Sequence, residues 1–200
     1  MRVFAVVPAA GRSTRMGRPK LSLPLAGRPV LEHVVAALRA GGAEHVVVVI
    51  GPHVAELVPL AESAGAHALL LSEETADMRA TVEQGLRWLA ERFQPDADDA
   101  WLLAPADHPT LGAAVVRQLL QARADHPGWS IFIPTFGGRR GHPALIGWRH
   151  VAGVRSLPAG EGLNTYLRRQ AGETREVPVD SPHVLCDLDT PEDYKRLRRE

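Results

Sequence analysis

The sequence has one cysteine, Cys186, in 200 residues. A single thiol builds neither an internal disulfide framework nor a multi-cysteine metal site, and this sparse usage fits a reducing, cytoplasmic setting. In the apolar run Val184-Leu-Cys186 it reads as a small buried residue. Net charge is missing too: 23 basic residues balance 23 acidic ones, so no global field draws nucleic acid or an anionic membrane. No apolar run is long enough to span a bilayer, and the first one, Val3-Phe-Ala-Val-Val7, lacks a cleavage signal. Repeats, low-complexity stretches and linkers are also absent; Gln94-Pro-Asp-Ala-Asp-Asp99 reads as a solvated loop. What remains is a single domain over residues 1–200, a length that buries a sizeable core.

Two familiar phosphate-binding motifs are absent by count. A P-loop places four residues between its glycines and then Lys-Ser/Thr, whereas Gly11 and Gly17 enclose five, with Arg18-Pro19 following. A dinucleotide fingerprint needs G-x-G-x-x-G and an acidic residue closing the second strand. Here that strand, His45-Val-Val-Val-Val-Ile50, runs into Gly51-Pro52. NAD and FAD are thereby disfavoured.

The chain does have Pro8-Ala-Ala-Gly-Arg-Ser-Thr-Arg-Met-Gly-Arg-Pro-Lys20, directly after the apolar run that reads as a buried first strand. Small residues at Ala9, Ala10 and Gly11 let backbone approach a ligand closely, and exposed N–H groups in such a turn form an anion-binding concavity. Arg12, Arg15, Arg18 and Lys20 add four cations around it. That density suits a polyphosphate, whose oxygens take bidentate bonds from Arg and point-like ones from Lys.

Beyond the loop, strand-like and helix-like segments alternate, which predicts an α/β fold with a largely parallel sheet. Helices are expected at Val30–Arg39, stopping at Gly41-Gly42, at Val54–Ala64, Met78–Phe93, Ala113–Ala124, Leu163–Arg169 and Pro191–Arg198. Strands are expected at Ala68–Leu71, Trp101–Ala104, Ile131–Ile133 and Glu176–Val179. Gly137-Gly-Arg-Arg-Gly141, a basic turn leading into Pro143-Ala-Leu-Ile146, predicts a hairpin-like insertion that disturbs the parallel order.

Three further groups carry chemistry. Ala104-Pro-Ala-Asp107-His108-Pro109 follows the fourth strand, on the sheet edge shared with the first loop. Asp107 is there in reach of a cation bridging phosphates held by Arg15 and Lys20, the competing role being a helix or turn cap. His108 is assigned no catalytic role and reads as a loop residue with a local hydrogen bond. Gly138-Arg-Arg-Gly-His-Pro143 fits phosphate contact and a solvent-exposed β-turn equally well. In Cys186-Asp-Leu-Asp-Thr-Pro-Glu-Asp193, Thr190 as N-cap, Pro191 at N1 and Asp193 at N3 start the last helix. Asp187 and Asp189 are not needed for that cap and share one face of an extended segment, so one of them is a partner for Asp107 at a metal.

Together these residues resemble the MobA-like nucleotidyltransferase domain, particularly its molybdenum cofactor cytidylyltransferase branch. Ala9-Ala-Gly-Arg-Ser-Thr-Arg-Met-Gly-Arg-Pro-Lys20 is similar to that family's A-A-G-x-S-x-R-M-G-x-x-K signature. Leu23-Pro-Leu-Ala-Gly-Arg-Pro-Val30, Ala106-Asp-His-Pro109, Gly141-His-Pro143 and Asp187-Leu-Asp-Thr-Pro-Glu-Asp-Tyr194 agree in order and spacing. The resemblance implies a Rossmann-like three-layer α/β/α sandwich with a mostly parallel sheet, like the nucleotide-diphospho-sugar transferases. It also implies transfer of a nucleoside monophosphate, CMP from CTP, to a phosphate acceptor such as molybdopterin, with pyrophosphate leaving, and a molybdoenzyme as partner. By the same resemblance Gly11, Arg15 and Lys20 hold the triphosphate, Arg12 and Ala106 join the nucleotide site, Ala9 and Ala10 lie against the base, and Asp107 binds Mg²⁺. The Ala10-Gly11 pair looks like the cytidylyl form. Departures are Pro8 in place of Leu, His108 in place of Met or Gln, and Met78-Arg-Ala-Thr81 in place of a serine-rich segment. A sister transferase acting on a sugar phosphate or other small phosphate, and a non-catalytic cofactor-delivery protein, are the alternatives. The transfer needs no general base, because the acceptor phosphate is already an anion; the task is to offset repulsion and stabilise the leaving pyrophosphate.

Overall fold

The apolar run that opens the chain is β1 (Val3–Ala9) in the computed structural model, which describes residues 1–199. Its side chains alternate: Val3, Ala5, Val7 and Ala9 enter one core, Phe4 and Val6 the other. Period-two geometry requires this of a strand covered on both faces. The chain continues through a small hairpin, β2 (Pro24–Leu25) and β3 (Arg28–Pro29), to α1 (Val30–Gly41), β4 (His45–Ile50), α2 (Leu57–Ser63) and β5 (His67–Leu70). Next come α3 (Met78–Phe93), β6 (Ala100–Leu103) and α4 (Ala113–Asp125). The last part comprises β7 (Ile131–Phe136), β8 (Arg139–Arg140), β9 (Ala144–Gly147), α5 (Val151–Arg155), α6 (Leu163–Arg169), β10 (Thr174–Pro178) and α7 (Pro191–Leu197).

The strands lie in the order β10-β7-β9-β6-β1-β4-β5, with β8 paired to β7. β1 is parallel to β4 and β6, β4 to β5, and β7 to β10. Only β8 and β9 break the pattern: β8 is antiparallel to β7, and β9 to both β6 and β7. The basic turn expected to disturb the sheet is this hairpin, closed by Gly137 and Gly138 at φ 56° and 75°, where only glycine adopts the turn freely. Helices α1, α2, α4 and α7 bury apolar residues against one face of the sheet, and α3, α5 and α6 against the other. The three-layer α/β/α sandwich is therefore observed.

Two local devices set the edge on which the site lies. Val6 pairs in register with Leu103, so the segments leaving β1 and β6 emerge side by side. At the opposite end Asp99, 3% exposed, accepts the Arg2 backbone N–H at 2.6 Å and its guanidinium at 2.7 and 3.0 Å. Burial raises the cost of this carboxylate's charge, but the Arg2 bonds outweigh it and hold its pKa below the usual range. At α7 the Thr190 side chain accepts from Asp193 N at 3.2 Å and the Asp193 side chain accepts from Thr190 N at 2.9 Å, the reciprocal cap that the sequence predicts.

Elsewhere the sequence misleads. The second helix starts at Leu57, because Gly51-Pro52 first opens a 3₁₀ turn over Pro52–Val54. Val184 to Leu185 belongs to another 3₁₀ turn, Pro182–Leu185, and leaves Cys186 only half-buried, its Sγ 3.6 Å from the Pro182 carbonyl. Helix α5 is not foreseen from the sequence. Among the described residues no helix is long and apolar enough to cross a membrane.

Candidate functional site

The loop after β1 is held in shape rather than left loose. Ser13, at φ 49°, and Gly17, at φ 68°, flank a 3₁₀ turn over Thr14–Met16, and Met16 anchors it by burying all but 5% of its surface. Lys20 N donates to Ser13 Oγ at 3.4 Å, drawing the two ends of the loop together. A Cβ on Gly51 would come within 3.2 Å of the Ala10 Cα, so the end of β4 packs directly behind Ala10. A Cβ on Gly11 would meet nothing within 4 Å. The small residues thus leave open space on the side where a ligand's phosphates could lie against backbone.

An ion cluster crosses this space. Lys20 Nζ donates to Asp107 Oδ2 at 2.6 Å and to Asp189 Oδ1 at 2.9 Å, while Arg15 reaches Asp189 Oδ2 at 2.5 Å. Burial works against the charge on Lys20, but the two carboxylates together raise its pKa above the ordinary lysine value. Asp189 is held below the usual carboxylate range, chiefly by its Lys20 hydrogen bond. Of the two acidic residues expected to join Asp107 at a metal, Asp189 is the one that shares the Lys20 ammonium with it. Asp187 is exposed and makes no ion pair among the described residues. Two carboxylates converging on one cation position supply hard oxygen donors, and a magnesium-like ion characteristically takes one or two of these with phosphate and water completing its shell. Among the described residues there is no group of three or more His, Cys, Asp or Glu placed to hold a metal.

All seven residues expected at the nucleotide, from Ala9 through Lys20 together with Ala106, line one cavity of about 420 Å³, and Asp107 and Asp189 line it too. Arg12 is paired with Glu74 at its rim. Arg18 is not part of this wall: its guanidinium lies over the Tyr194 ring, 5.3 Å from the centroid, against α7. Met78 and Thr81, of the segment that departs from the family pattern, close the cavity from the start of α3 together with Thr75 and Asp77, which the sequence reading missed. Asp77 is the α3 N-cap, accepting from Ala80 N at 2.8 Å, and the Thr75 and Thr81 hydroxyls are 2.5 Å apart. The signal was present in the sequence, as an aspartate immediately before a helical run.

His108 is a loop residue, as the sequence suggests, but a buried one. It is 7% exposed, and its ring meets that of His142 edge-to-face with centroids 5.2 Å apart. Burial depresses both imidazoles; His142, further opposed by His108, falls to about 4. Both line a second cavity, of about 340 Å³, which also takes in Asp187, Arg139 and Arg140.

Residues 5–175 match the MobA-like NTP transferase domain. The chain is 33% identical, over 98% of its length and 94% of the relative's, to a phosphoenolpyruvate guanylyltransferase of Rubrobacter xylanophilus. It is 27% identical, over 98% of its length and 96% of the relative's, to a nicotine blue oxidoreductase of Paenarthrobacter nicotinovorans. A molybdenum cofactor guanylyltransferase of Xanthomonas euvesicatoria shares 60% identity over a shorter stretch, 22% of this chain and 23% of that protein. Among solved structures, the manganese complex of Rv0371c from Mycobacterium tuberculosis covers 100% of both chains at a TM-score of 0.76 and 24% identity, which is a likeness of fold.

Proposed function

Because the chain belongs to the MobA-like NTP transferase domain family, we propose that it is a nucleotidyltransferase moving CMP from CTP to the phosphate of a molybdopterin-like acceptor, with release of pyrophosphate. The observation that carries this reading is the Lys20 ammonium shared by Asp107 and Asp189, at 2.6 and 2.9 Å, in the cavity walled by Ala9, Ala10 and Gly11. Triphosphate oxygens compete with those carboxylates for Lys20 and Arg15, the bonds to the cations being charge-assisted in either case. Gly11 leaves room for phosphate beside backbone N–H groups, and Ala9 and Ala10 limit the space for the base.

Asp107 and Asp189 are the residues that would hold the divalent ion, for which Mg²⁺ is the proposal. Bound there, it would offset the charge of the phosphates and polarise them toward attack. An acceptor oxygen bonds to the α-phosphorus as the bond to the β-phosphate oxygen breaks, and the leaving pyrophosphate takes the electron pair. No side chain has to accept a proton, since the acceptor enters as an anion; Arg15 and Lys20 counter the charge that gathers on the leaving group. CTP is favoured by the Ala10-Gly11 pair, and the acceptor by the motif around Asp187 and by the molybdenum cofactor relative. A molybdoenzyme receiving the product and a cytoplasmic setting belong to the same reading.

A second reading has its own support: guanylyl transfer from GTP to a small phosphate, since the phosphoenolpyruvate guanylyltransferase matches along 98% of the chain. The oxidoreductase relative keeps a third, redox, function open to test. One experiment separates them. The melting temperature should rise with an NTP and Mg²⁺, more for CTP than for GTP, and pyrophosphate should appear when molybdopterin is added. Release with GTP and phosphoenolpyruvate instead selects the second reading, and no nucleotide shift at all removes both.

A further inference from the structure

The second cavity adjoins the first and shares Arg15, Pro105, Asp107 and Asp189 with it. We propose that it binds the phosphate of the acceptor, a phosphate monoester, through Arg139 and Arg140; this rests on the nucleotidyl-transfer reading and adds the second substrate's site to it. Anything bound in this cavity meets a nucleotide in the first across the shared residues, and an attacking oxygen has to be delivered at such a seam. In this step the acceptor oxygen bonds to the α-phosphorus, the α–β bridge breaks, and pyrophosphate carries away the electron pair. No oxidant, reductant or further reactant is required.

The wall is built for an anion. Arg139 makes no ion pair among the described residues, and Arg140 pairs only with Glu176, at 2.8 Å, both side chains being 40% exposed or more. Such an exposed pair contributes little, and a phosphate offering a bidentate partner displaces it. The position of the arginines is fixed. The Gly137-Gly138 turn sets the hairpin, Gly141 N donates to Pro134 O at 2.8 Å, and His142 N donates to Val184 O at 2.8 Å. A Cβ on Gly141 would come within 2.4 Å of that Val184 oxygen, so the basic hairpin and the segment carrying Asp187 and Asp189 fit together only without one. Two polar groups here lack partners. His142 Nδ1 is buried with no hydrogen bond among the described residues, and among those residues Asp187 makes no ion pair. Asp187 accepts hydrogen bonds only, so it fits an acceptor that carries O–H or N–H groups near its phosphate.

The test uses inorganic phosphate as probe, with the first cavity saturated by the non-hydrolysable CTP analogue CMPCPP and Mg²⁺. Backbone amide shifts of residues 139–142 are followed by NMR as phosphate is added. The parent should show a saturable phosphate site, and Arg139→Ala/Arg140→Ala should weaken it by about ten-fold or more, while its CMPCPP-induced melting shift stays at the parent value. Arg139→Ala alone should give a smaller loss, and Arg198→Ala, on another surface, none. Unchanged phosphate affinity in the double variant, or no phosphate site when CMPCPP is bound, overturns the inference and leaves the nucleotide reading intact. Absence of any CMPCPP shift in the parent overturns both.

Discussion

The backbone N–H of Leu188 donates to the backbone carbonyl of Asp107 at 2.8 Å. This bond clasps the segment before α7 to the loop after β6, and it brings the Asp189 carboxylate to the same ammonium that Asp107 holds. Leu188 itself is fully buried, which fixes the segment that carries Asp187 and Asp189. Asp189 is bound to Lys20 and Arg15, and Asp187 lines the second cavity, which Asp189 reaches as well.

Lys20→Ala should lower kcat/KM for pyrophosphate release by about 100-fold or more, the scale of losing a positioned charge at the reacting phosphates. Stability should fall as well, because Asp107 and Asp189 are left close together without the cation between them. Arg15 is 72% exposed, so Arg15→Ala should weaken nucleotide binding with almost no change in melting temperature. If both variants turn over at the parent rate, the phosphate role of this loop is wrong.

Asp107→Asn and Asp189→Asn should each raise the Mg²⁺ concentration for half-maximal turnover, by about ten-fold. Asp187→Asn should leave it unchanged, since Asp187 lies outside the Lys20 cluster. The readout is a Mg²⁺ titration at fixed nucleotide, with Mn²⁺ binding followed by electron paramagnetic resonance as a check independent of activity. A shifted Mg²⁺ requirement in Asp187→Asn would place the metal at the other carboxylate.

Much of this arrangement is legible in the sequence, for reasons that are local. The Val3–Val7 run reads as a buried strand, Thr190 announces the start of α7, and Gly137-Gly138 announces a tight hairpin. What escapes has a tertiary cause. Helix α5 contains Gly153, a poor helix former, because a Cβ there would meet the Tyr166 hydroxyl at 2.5 Å; no window along the chain shows that contact. His108 is buried by the ring of His142 and Arg18 is recruited by Tyr194, both partners lying far along the sequence. The choice of Asp189 over Asp187 depends on how the buried Leu188 and its backbone bond to Asp107 place the two carboxylates, and that is set by packing.

Gly141→Ala should destabilise the fold by about 1–3 kcal/mol, the usual cost of overpacking against atoms that cannot withdraw. The atoms met are the Val184 backbone, with its oxygen at 2.4 Å, and not the end of a flexible side chain. Gly128→Ala, where an added Cβ meets nothing within 4 Å, is the control and should leave the melting temperature nearly unchanged. Equal melting temperatures for the two variants would mean that the segment at Val184 is free to move away from the hairpin.

The last prediction concerns acid. Burial first, and repulsion from His108 second, lower the His142 pKa from 6.5 to about 4 in the folded chain. A base whose folded pKa is depressed binds fewer protons folded than unfolded between those two values, so stability rises with pH through that window. Its contribution is therefore present above the unfolded pKa and is lost as pH falls toward the folded one. Between pH 7 and pH 5 the loss attributable to this ring is roughly 1–2 kcal/mol by linkage. His142→Gln removes the titration while keeping a polar side chain of similar reach. Denaturant unfolding at pH 7 and pH 5 should show a smaller drop in the variant than in the parent, whatever the variant's absolute stability. An identical drop in both would mean that another depressed group, such as His108 or His150, carries the acid sensitivity and that the His142 ring is protonated without cost.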